Sequence, residues 1–449
     1  MDTNILIQML IAIFAGIIIY TLIGFIPGTD ETSVLVPISL ALVLSGVAPI
    51  VILAFFIASM VTLSVTNAIP TALVGLPGGV MATPMMEYSL YLKDKGKSSI
   101  VIKKMAVGSL IGLLVALPIS LILANIIAPY GEFLKQYASL LFVIGAVFLS
   151  LLSKAKLLSL VSIIPLSMLF MSLRHLYWGT GLVPEGKNIT VSFFLGITIG
   201  PLIITLLEML NKQKREEAKT KDFKHIVVPK EKDKVLNPFK IVDKKEMIKP
   251  AISSALASFL FVLSPVGLTI LFGELMGKNE KDMEKRSFTS IITMSAMIQA
   301  TYISGIVIPL VALGIPLSPV SIGPGIALFN VEPVFTQTNN IHHILSNGEK
   351  LLAIVPAALI ALAVAYFLTN RNASRITNFV LKKIPHEAIL GLFISFIVLL
   401  SYMDAGIVNI FGVILIGIVS GYLNRQGVNY GVQFMALYAA PWIISNLIG

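Results

Sequence analysis

The chain has 449 residues, 56% of them hydrophobic and only 12% charged, with a mean hydropathy of +0.91 and no cysteine. A soluble domain carries about 25% charged residues, so this composition excludes an ordinary water-soluble protein and equally a disordered or fibrous one. The missing cysteines exclude disulfides, thiolate metal sites and a cysteine nucleophile, and the net charge of +10 sits in short patches between long uncharged windows.

The first window covers residues 3–29. No Lys or Arg precedes it, and Asn4–Ile26 is long enough to span a bilayer, which takes about 20 apolar residues. It reads as a retained transmembrane helix, since a signal peptide has a positive n-region. A Pro27-Gly28 turn follows, then Asp30 and Glu31. Ionisable residues in membrane segments are costly and are functional candidates by default. These two are expected either to bind or relay Na⁺ or H⁺, or to cap the next helix, whose N-terminus favours carboxylates.

Window 32–86 is too long for one helix and rich in Pro and Gly; windows 105–131, 136–153, 157–173 and 188–207 hold one span each. Residues 211–249 then carry 13 Lys or Arg and seven Asp or Glu. This stretch reads as a solvated cytoplasmic linker, because basic loops stay inside. Its only aromatics are Phe223 and Phe239, too few to stack on bases, so no nucleic-acid partner is expected. Windows 250–273, 287–331, 351–370, 388–403, 405–424 and 426–449 complete the chain, and 287–331 is again too long for one helix. The fold class predicted is an all-α polytopic membrane protein with roughly 12–14 membrane segments.

The two halves resemble each other. Ile69-Pro70-Thr-Ala-Leu-Val-Gly75-Leu-Pro77 and Ile308-Pro309-Leu-Val-Ala-Leu-Gly314-Ile-Pro316 share the pattern I-P-x-x-x-x-G-[LI]-P at a constant offset of 239, each inside the longest uncharged window of its half. Two repeats are predicted, 1–210 and 250–449, joined by the linker 211–249. Loop 87–104 carries five Lys and its counterpart 332–350 one, whereas 130–137 carries one and 371–387 four Lys or Arg. Under the positive-inside rule, equivalent loops then lie on opposite faces. The repeats are therefore expected to be inverted, with an odd number of crossings each, about seven, and with the linker inside.

Proline removes a backbone donor and clashes with the preceding turn, so both motifs predict broken or re-entrant helices. In hydrocarbon the freed backbone groups need partners from protein, water or ligand. Matched breaks in two repeats are the best sequence pointer to a transporter binding site. No Lys or Arg lies in 32–86 or 287–331, so an anionic solute there would be met by helix N-termini, backbone N–H groups, hydroxyls, amides and co-bound cations. The candidates are Ser64, Thr66, Asn67 and Thr71 in the first half and Gln299, Thr301, Ser304, Ser318 and Ser321 in the second. Gly78, Gly79 and Gly305 would let backbone approach a ligand. The competing reading for each hydroxyl is a back-bond to its own helix. Glu274 and Asp404 lie next to loops and are weaker candidates. His342 and His343 are adjacent, do not share a helix face and are not read as a metal site.

On these residues the sequence resembles the large membrane subunit of the tripartite tricarboxylate transporters. The stretch Asn67-Ala-Ile-Pro-Thr-Ala-Leu-Val-Gly-Leu-Pro-Gly-Gly79 with Glu87-Tyr and Lys95-Gly96-Lys97, the segment Gly305-Ile-Val-Ile-Pro309 with Gly314-Ile-Pro316, and Gly24-Phe-Ile-Pro27-Gly28 carry the likeness. The chain departs in having Thr29-Asp30-Glu31 after the first P-G, and in the proline-rich Pro316-Leu317-Ser318-Pro319. The resemblance implies a multi-pass permease of a prokaryotic inner membrane. It implies a citrate-like or other small carboxylate as solute, an ion gradient as driving force, and two partners: a small membrane subunit and a periplasmic or extracellular solute-binding protein. Membrane lipid is the remaining partner. No cofactor is expected beyond Na⁺ or H⁺ as coupling ion, and no enzyme is expected, because G-x-x-x-x-G-K-[ST], H-E-x-x-H and G-x-S-x-G are all missing. The alternatives are a transporter of amino-bearing or zwitterionic solutes, with Asp30 or Glu31 meeting the cation, and a lipid-carrier translocase.

Overall fold

The computed structural model describes residues 3–26, 31–74, 78–131, 133, 137–185, 189–213, 236–263, 265–331, 334–336, 338–383 and 386–448. Its helices are α1 (Thr3–Gly24), α2 (Glu31–Leu44), α3 (Pro49–Thr66), α4 (Ile69–Val74), α5 (Met86–Asp94), α6 (Ser98–Ile127), α7 (Ala138–Leu152), α8 (Lys156–Gly179) and α9 (Thr190–Met209) in the first half. The second half contributes α10 (Lys244–Phe259), α11 (Pro265–Gly277), α12 (Met283–Ile308), α13 (Asn347–Lys383), α14 (His386–Arg425) and α15 (Tyr430–Ile448). Among the described residues the only β structure is a pair of isolated bridges, Val331–Phe335 and Thr336–Asn339. The all-α expectation therefore holds.

Seven helical stretches among the described residues are long and apolar enough to cross a bilayer, and three shorter apolar helices accompany them. The protein is a multi-pass integral membrane protein. The most apolar windows of α3 and α12 are 94% and 100% buried, against 33% for α1, α6 and α8. The two helices that lead into the Pro/Gly motifs are thus shielded by other helices, while the rest present a face to lipid. Local chemistry sets several boundaries. Pro49 opens α3 and Asp243 closes a capping box on α10 with Glu246. Asp282 caps α12 by accepting the Glu284 N–H at 3.1 Å. Within α14, Gly406 at φ 76° breaks the helix into two spans.

The helices pack as two groups. The first holds α1–α6 and α10–α13; the second holds α7–α9, α14 and α15. The groups meet mainly where α2 packs on α9 and α14, and where the Pro319–Ile322 turn packs on α15. Each half of the chain contributes to both groups, and the packing is reciprocal. Helix α6 lies along α12 while α13 lies along α3; α6 also touches α10 while α13 touches α1. In the second group α9 lies along α14 while α15 lies along α7 and α8.

Two of these contacts are backbone to backbone. A Cβ at Gly108 would overlap the Ile292 carbonyl, and one at Gly112 the Ala296 carbonyl, so α6 and α12 run parallel in close contact. Gly196-x-x-x-Gly200 on α9 meets Gly417-x-x-x-Gly421 on α14 in the same way. Lipid tails are as apolar as Leu, so small residues that admit close van der Waals packing are what hold membrane helices together.

Charges gather at one end of the first group. Lys97 pairs with Glu284, Lys95 with Glu284 at 4.0 Å, Arg286 with Glu274 at 3.1 Å, Lys104 with Glu246 at 2.9 Å and Lys249 with Glu280 at 2.8 Å. Lys104 is buried; the solvent-exposed pairs among the rest contribute about 0–1 kcal/mol each, and their information is positional. The loop before α6 lies at the start of α12, beside the segment that leaves the basic linker. From Met283 to Leu313 the helix and its continuation run 31 residues, about 45 Å at 1.5 Å per residue. Asn340, which donates to the Gly314 carbonyl at 2.8 Å, lies at the far end.

Two outcomes are expected. With no native cysteine, Lys95→Cys and Asn339→Cys, both at exposed positions, should react with impermeant thiol reagents from opposite sides of the membrane. Labelling of both from one side would contradict the helix geometry. A Cβ at Gly200 would lie 2.7 Å from the Gly421 nitrogen, so Gly200→Leu should destabilise the detergent-purified protein by about 1–3 kcal/mol. Gly179→Leu, with open space around it, should stay within about 0.5 kcal/mol of the parent in the same thermal unfolding assay.

Candidate functional site

The first break begins where α3 ends. Asn67 takes the C-terminal cap, its N–H bonding the Leu63 carbonyl at 2.9 Å, and the chain re-enters helix at Ile69 with Pro70 in the first turn. Proline fits there because a first-turn N–H needs no helical partner. Gly75 and Pro77 lie outside the described residues. Gly78 returns the chain against Asn67 so closely that a Cβ would overlap the Asn67 carbonyl. A buried carbonyl in contact with backbone leaves no room for any other residue there.

The second break follows different chemistry. Pro309 cannot donate to the α12 ladder, and the helix widens into a π-turn over Pro309–Leu313. Gly314 closes it at φ 68°, its N–H bonding the Pro309 carbonyl at 2.9 Å. The turn is braced from outside. Asn340 Nδ2 donates to the Gly314 carbonyl at 2.8 Å, and His342 Nδ1 lies 2.9 Å from the Leu310 carbonyl. The histidine pair, not read as a metal site, thus packs on the break. Beyond Pro316, Ser318 caps the Pro319–Ile322 turn in a reciprocal box with Ser321 and donates to the Gly305 carbonyl at 2.5 Å.

The hydroxyls predicted as ligands divide into two sets. Ser64 donates to Met60 O at 2.7 Å, Thr66 to Thr62 O at 2.9 Å, Thr301 to Met297 O at 2.8 Å and Ser304 to Ala300 O at 2.8 Å. These protons are spent on their own helices, which leaves the oxygens able only to accept. Thr71, in contrast, has no hydrogen-bond partner among the described residues, nor does either amide atom of Gln299, which is fully buried in α12. A buried polar group left unpaired costs about 1–3 kcal/mol, so these two are where a solute or water would gain most.

The carboxylate of Glu31 is the chemical centre of the region. Glu31 opens α2 and is buried, with 6% of its surface exposed. Asn67 Nδ2 donates to its Oε1 at 2.9 Å and the Met81 N–H to the same oxygen at 3.4 Å. Asp30 and Pro27 lie outside the described residues. A small cavity beside the carboxylate has room for about one water molecule. Leu63, Ser64, Asn67 and Met81 line it from the first half, Ile298 and Tyr302 from the second. The structure therefore brings Glu31, Ser64 and Asn67 together and adds Tyr302, which sequence reasoning missed. Its only signal was a polar tip one helical turn beyond Ile298 in an apolar window. Thr301, Ser304, Gly305 and Ser318 do not line this cavity; Ser318 and Gly305 bond to each other instead.

Comparison with known proteins adds one positive finding. The family model described as "Tripartite tricarboxylate transporter TctA family" matches residues 10–435. No curated protein and no solved structure matches the chain.

Removing the amide that serves the buried carboxylate should be felt in stability. Asn67→Ala is expected to cost about 1–3 kcal/mol, and Asn67→Asp more, since it sets two carboxylates side by side. Gly78→Ala should be the most disruptive, because it forces the Asn67 carbonyl to move. Thermal unfolding of the three detergent-purified variants tests the order; a neutral Asn67→Ala would remove the hydrogen bond from the account.

Proposed function

The chain belongs to the TctA family of tripartite tricarboxylate transporters, and on that premise we propose that it is the permease of such a system, moving a small di- or tricarboxylate by alternating access. The observation that carries the reading is convergence. The helix that precedes the first break supplies Ser64 and Asn67 to the Glu31 cavity, and the helix that leads into the second break supplies Ile298 and Tyr302. Discontinuous helices meeting near a repeat interface are the usual construction of a secondary-transporter site.

The reciprocal packing of the halves supports two repeats related by a two-fold axis, each giving one part to either helix group. Equivalent loops 87–104 and 332–350 border opposite ends of α12, which favours the inverted arrangement. Domains 1–210 and 250–449 and a cytoplasmic linker 211–249 follow from it. The family's tripartite character supplies the partners: a small membrane subunit and an extracytoplasmic solute-binding protein. A prokaryotic inner membrane is the corresponding location.

The solute is a carboxylate in this reading because two of the predicted groups that are buried without a hydrogen-bond partner among the described residues, the Gln299 amide and the Thr71 hydroxyl, can donate to oxygen. Glu31 already accepts from Asn67 and Met81, which makes it a poor counter-charge for a solute ammonium. An inward Na⁺ or H⁺ gradient drives accumulation, with no nucleotide.

Thermal-shift titration of the purified full chain in NaCl buffer with citrate, succinate, glutamate and lysine tests this. Citrate or succinate should raise the unfolding midpoint, lysine should not, and Gln299→Leu should weaken the response about tenfold, one hydrogen bond's worth. A response to lysine alone would reverse the assignment toward amino-bearing solutes.

A further inference from the structure

Building on the reading of a gradient-driven permease, we propose that Val80–Asp94 is a lid over the cavity beside Glu31, and that the bond from Tyr88 to Glu274 is its latch. In that reading the lid is the gate through which the cavity opens toward the charged end of the first group. The first ground is continuity. Met81 and Ala82 line the cavity, and the Met81 N–H donates to Glu31 Oε1 at 3.4 Å. Seven residues after Met81 in the same stretch, Tyr88 donates to the Glu274 carboxylate at 2.7 Å. The stretch is a 3₁₀ turn over Val80–Met85 followed by α5. Both parts pack on α12, and the turn also packs on α11. A piece of the first half thus closes the cavity while fastened to helices of the second.

The second ground is register. The lid runs along α12 in the opposite direction. Tyr88 shares the Glu274 carboxylate with Arg286, Ser295 Oγ donates to Met85 Sδ at 3.5 Å, and Met81 and Ala82 meet Ile298 and Tyr302 around the cavity. From Arg286 to Ile298 the helix rises about 18 Å. The lid therefore covers the length of α12 that separates the ion pairs at the charged end from the cavity. It reaches the surface at Glu87 and Leu90, whereas the most apolar windows of α3 and α12, which supply the facing walls, are 94% and 100% buried.

The third ground is the build of the latch. Tyr88 is buried, but the carboxylate that it bonds is 45% exposed and also accepts from Arg286 at 3.1 Å. When the lid lifts, Glu274 keeps Arg286 and gains water, so the step leaves no charge unpaired in the interior and avoids the penalty of breaking a buried ion pair. At the far end of the lid, Gly96 turns the chain from α5 toward α6 at φ 70°, and nothing lies within 4 Å of the place that a Cβ would take. A turn at the end of an element with free space beside it suits a hinge, which must absorb a change in φ and ψ.

The test measures how fast N-ethylmaleimide, a reagent larger than the cavity, labels single cysteines in the detergent-purified full chain, which has none of its own. Ser64→Cys reports on the cavity wall, and Ala146→Cys, buried in α7 of the second group, reports on general loosening. Adding Tyr88→Phe or Glu274→Ala should speed labelling at position 64 about tenfold, what one hydrogen bond removed from the closed state contributes, and leave position 146 unchanged. Tyr88→Phe keeps the ring and its packing, so it remains informative if Glu274→Ala fails to fold. An unchanged rate at position 64 would overturn the proposal. So would equal acceleration at both positions, which would make the bond a general stabiliser of the fold. No carboxylate solute is present in this assay, so its failure leaves the solute reading to the citrate titration, and failure there leaves the lid standing.

Discussion

A carboxylate kept out of water beside a broken membrane helix sets the terms for its surroundings. Glu31 is almost fully buried, and an ion in that position is tolerated only with hydrogen bonds directed at it. Asn67 provides one because it terminates α3 and turns its amide toward the start of α2. Asn67 holds that place because α3 is buried along its length and Gly78 packs on its carbonyl. The order of dependence runs from backbone contact, to side-chain orientation, to charge.

The two breaks share a sequence pattern but not a chemistry. The first is a polar centre, with a carboxylate, an amide and a backbone N–H. The second is a self-sufficient structure. Its serines satisfy each other, its π-turn is closed by Gly314, and Asn340 and His342 take up two of its carbonyls. Backbone freed inside a membrane must find partners within the protein. One break does so largely with nearby segments; at the other, Asn67 reaches the Glu31 carboxylate 36 positions away. Duplication of the motif therefore does not imply duplication of the site.

Close backbone contact holds the long helices, and charge marks their ends. The α6–α12 and α9–α14 pairs approach through glycines, while ion pairs gather where α5, α6, α10, α11 and α12 reach one end of the first group. Side-chain hydrogen bonds cross between the halves at that same end, as from Tyr88 to Glu274 at 2.7 Å, and again inside the second group, where Asn409 donates to Ser192 Oγ at 2.7 Å and Ser420 to the Ile197 carbonyl at 3.2 Å.

Composition and the uncharged windows were sufficient to read a multi-pass helical membrane protein, because the bilayer imposes a length and a polarity that any spanning segment must meet. Spacing of proline and glycine marked both breaks for a local reason: proline cannot donate and only glycine is at ease at φ 68°. Asn67 and Glu31 stood out as polar residues in apolar surroundings. Their bond to each other did not, since it joins residues 36 positions apart through a contact that no local rule encodes. Tyr302 and the bracing by Asn340 and His342 were likewise decided by packing between distant segments. So was the fate of the polar side chains: Ser64, Thr66, Thr301 and Ser304 turned to their own helices' carbonyls, whereas Thr71 and Gln299 have no hydrogen-bond partner among the described residues. Sequence determines which backbone positions must break and which side chains are polar; which of those polar atoms face each other depends on how α2, α3 and α12 converge, and that is a property of the tertiary structure alone.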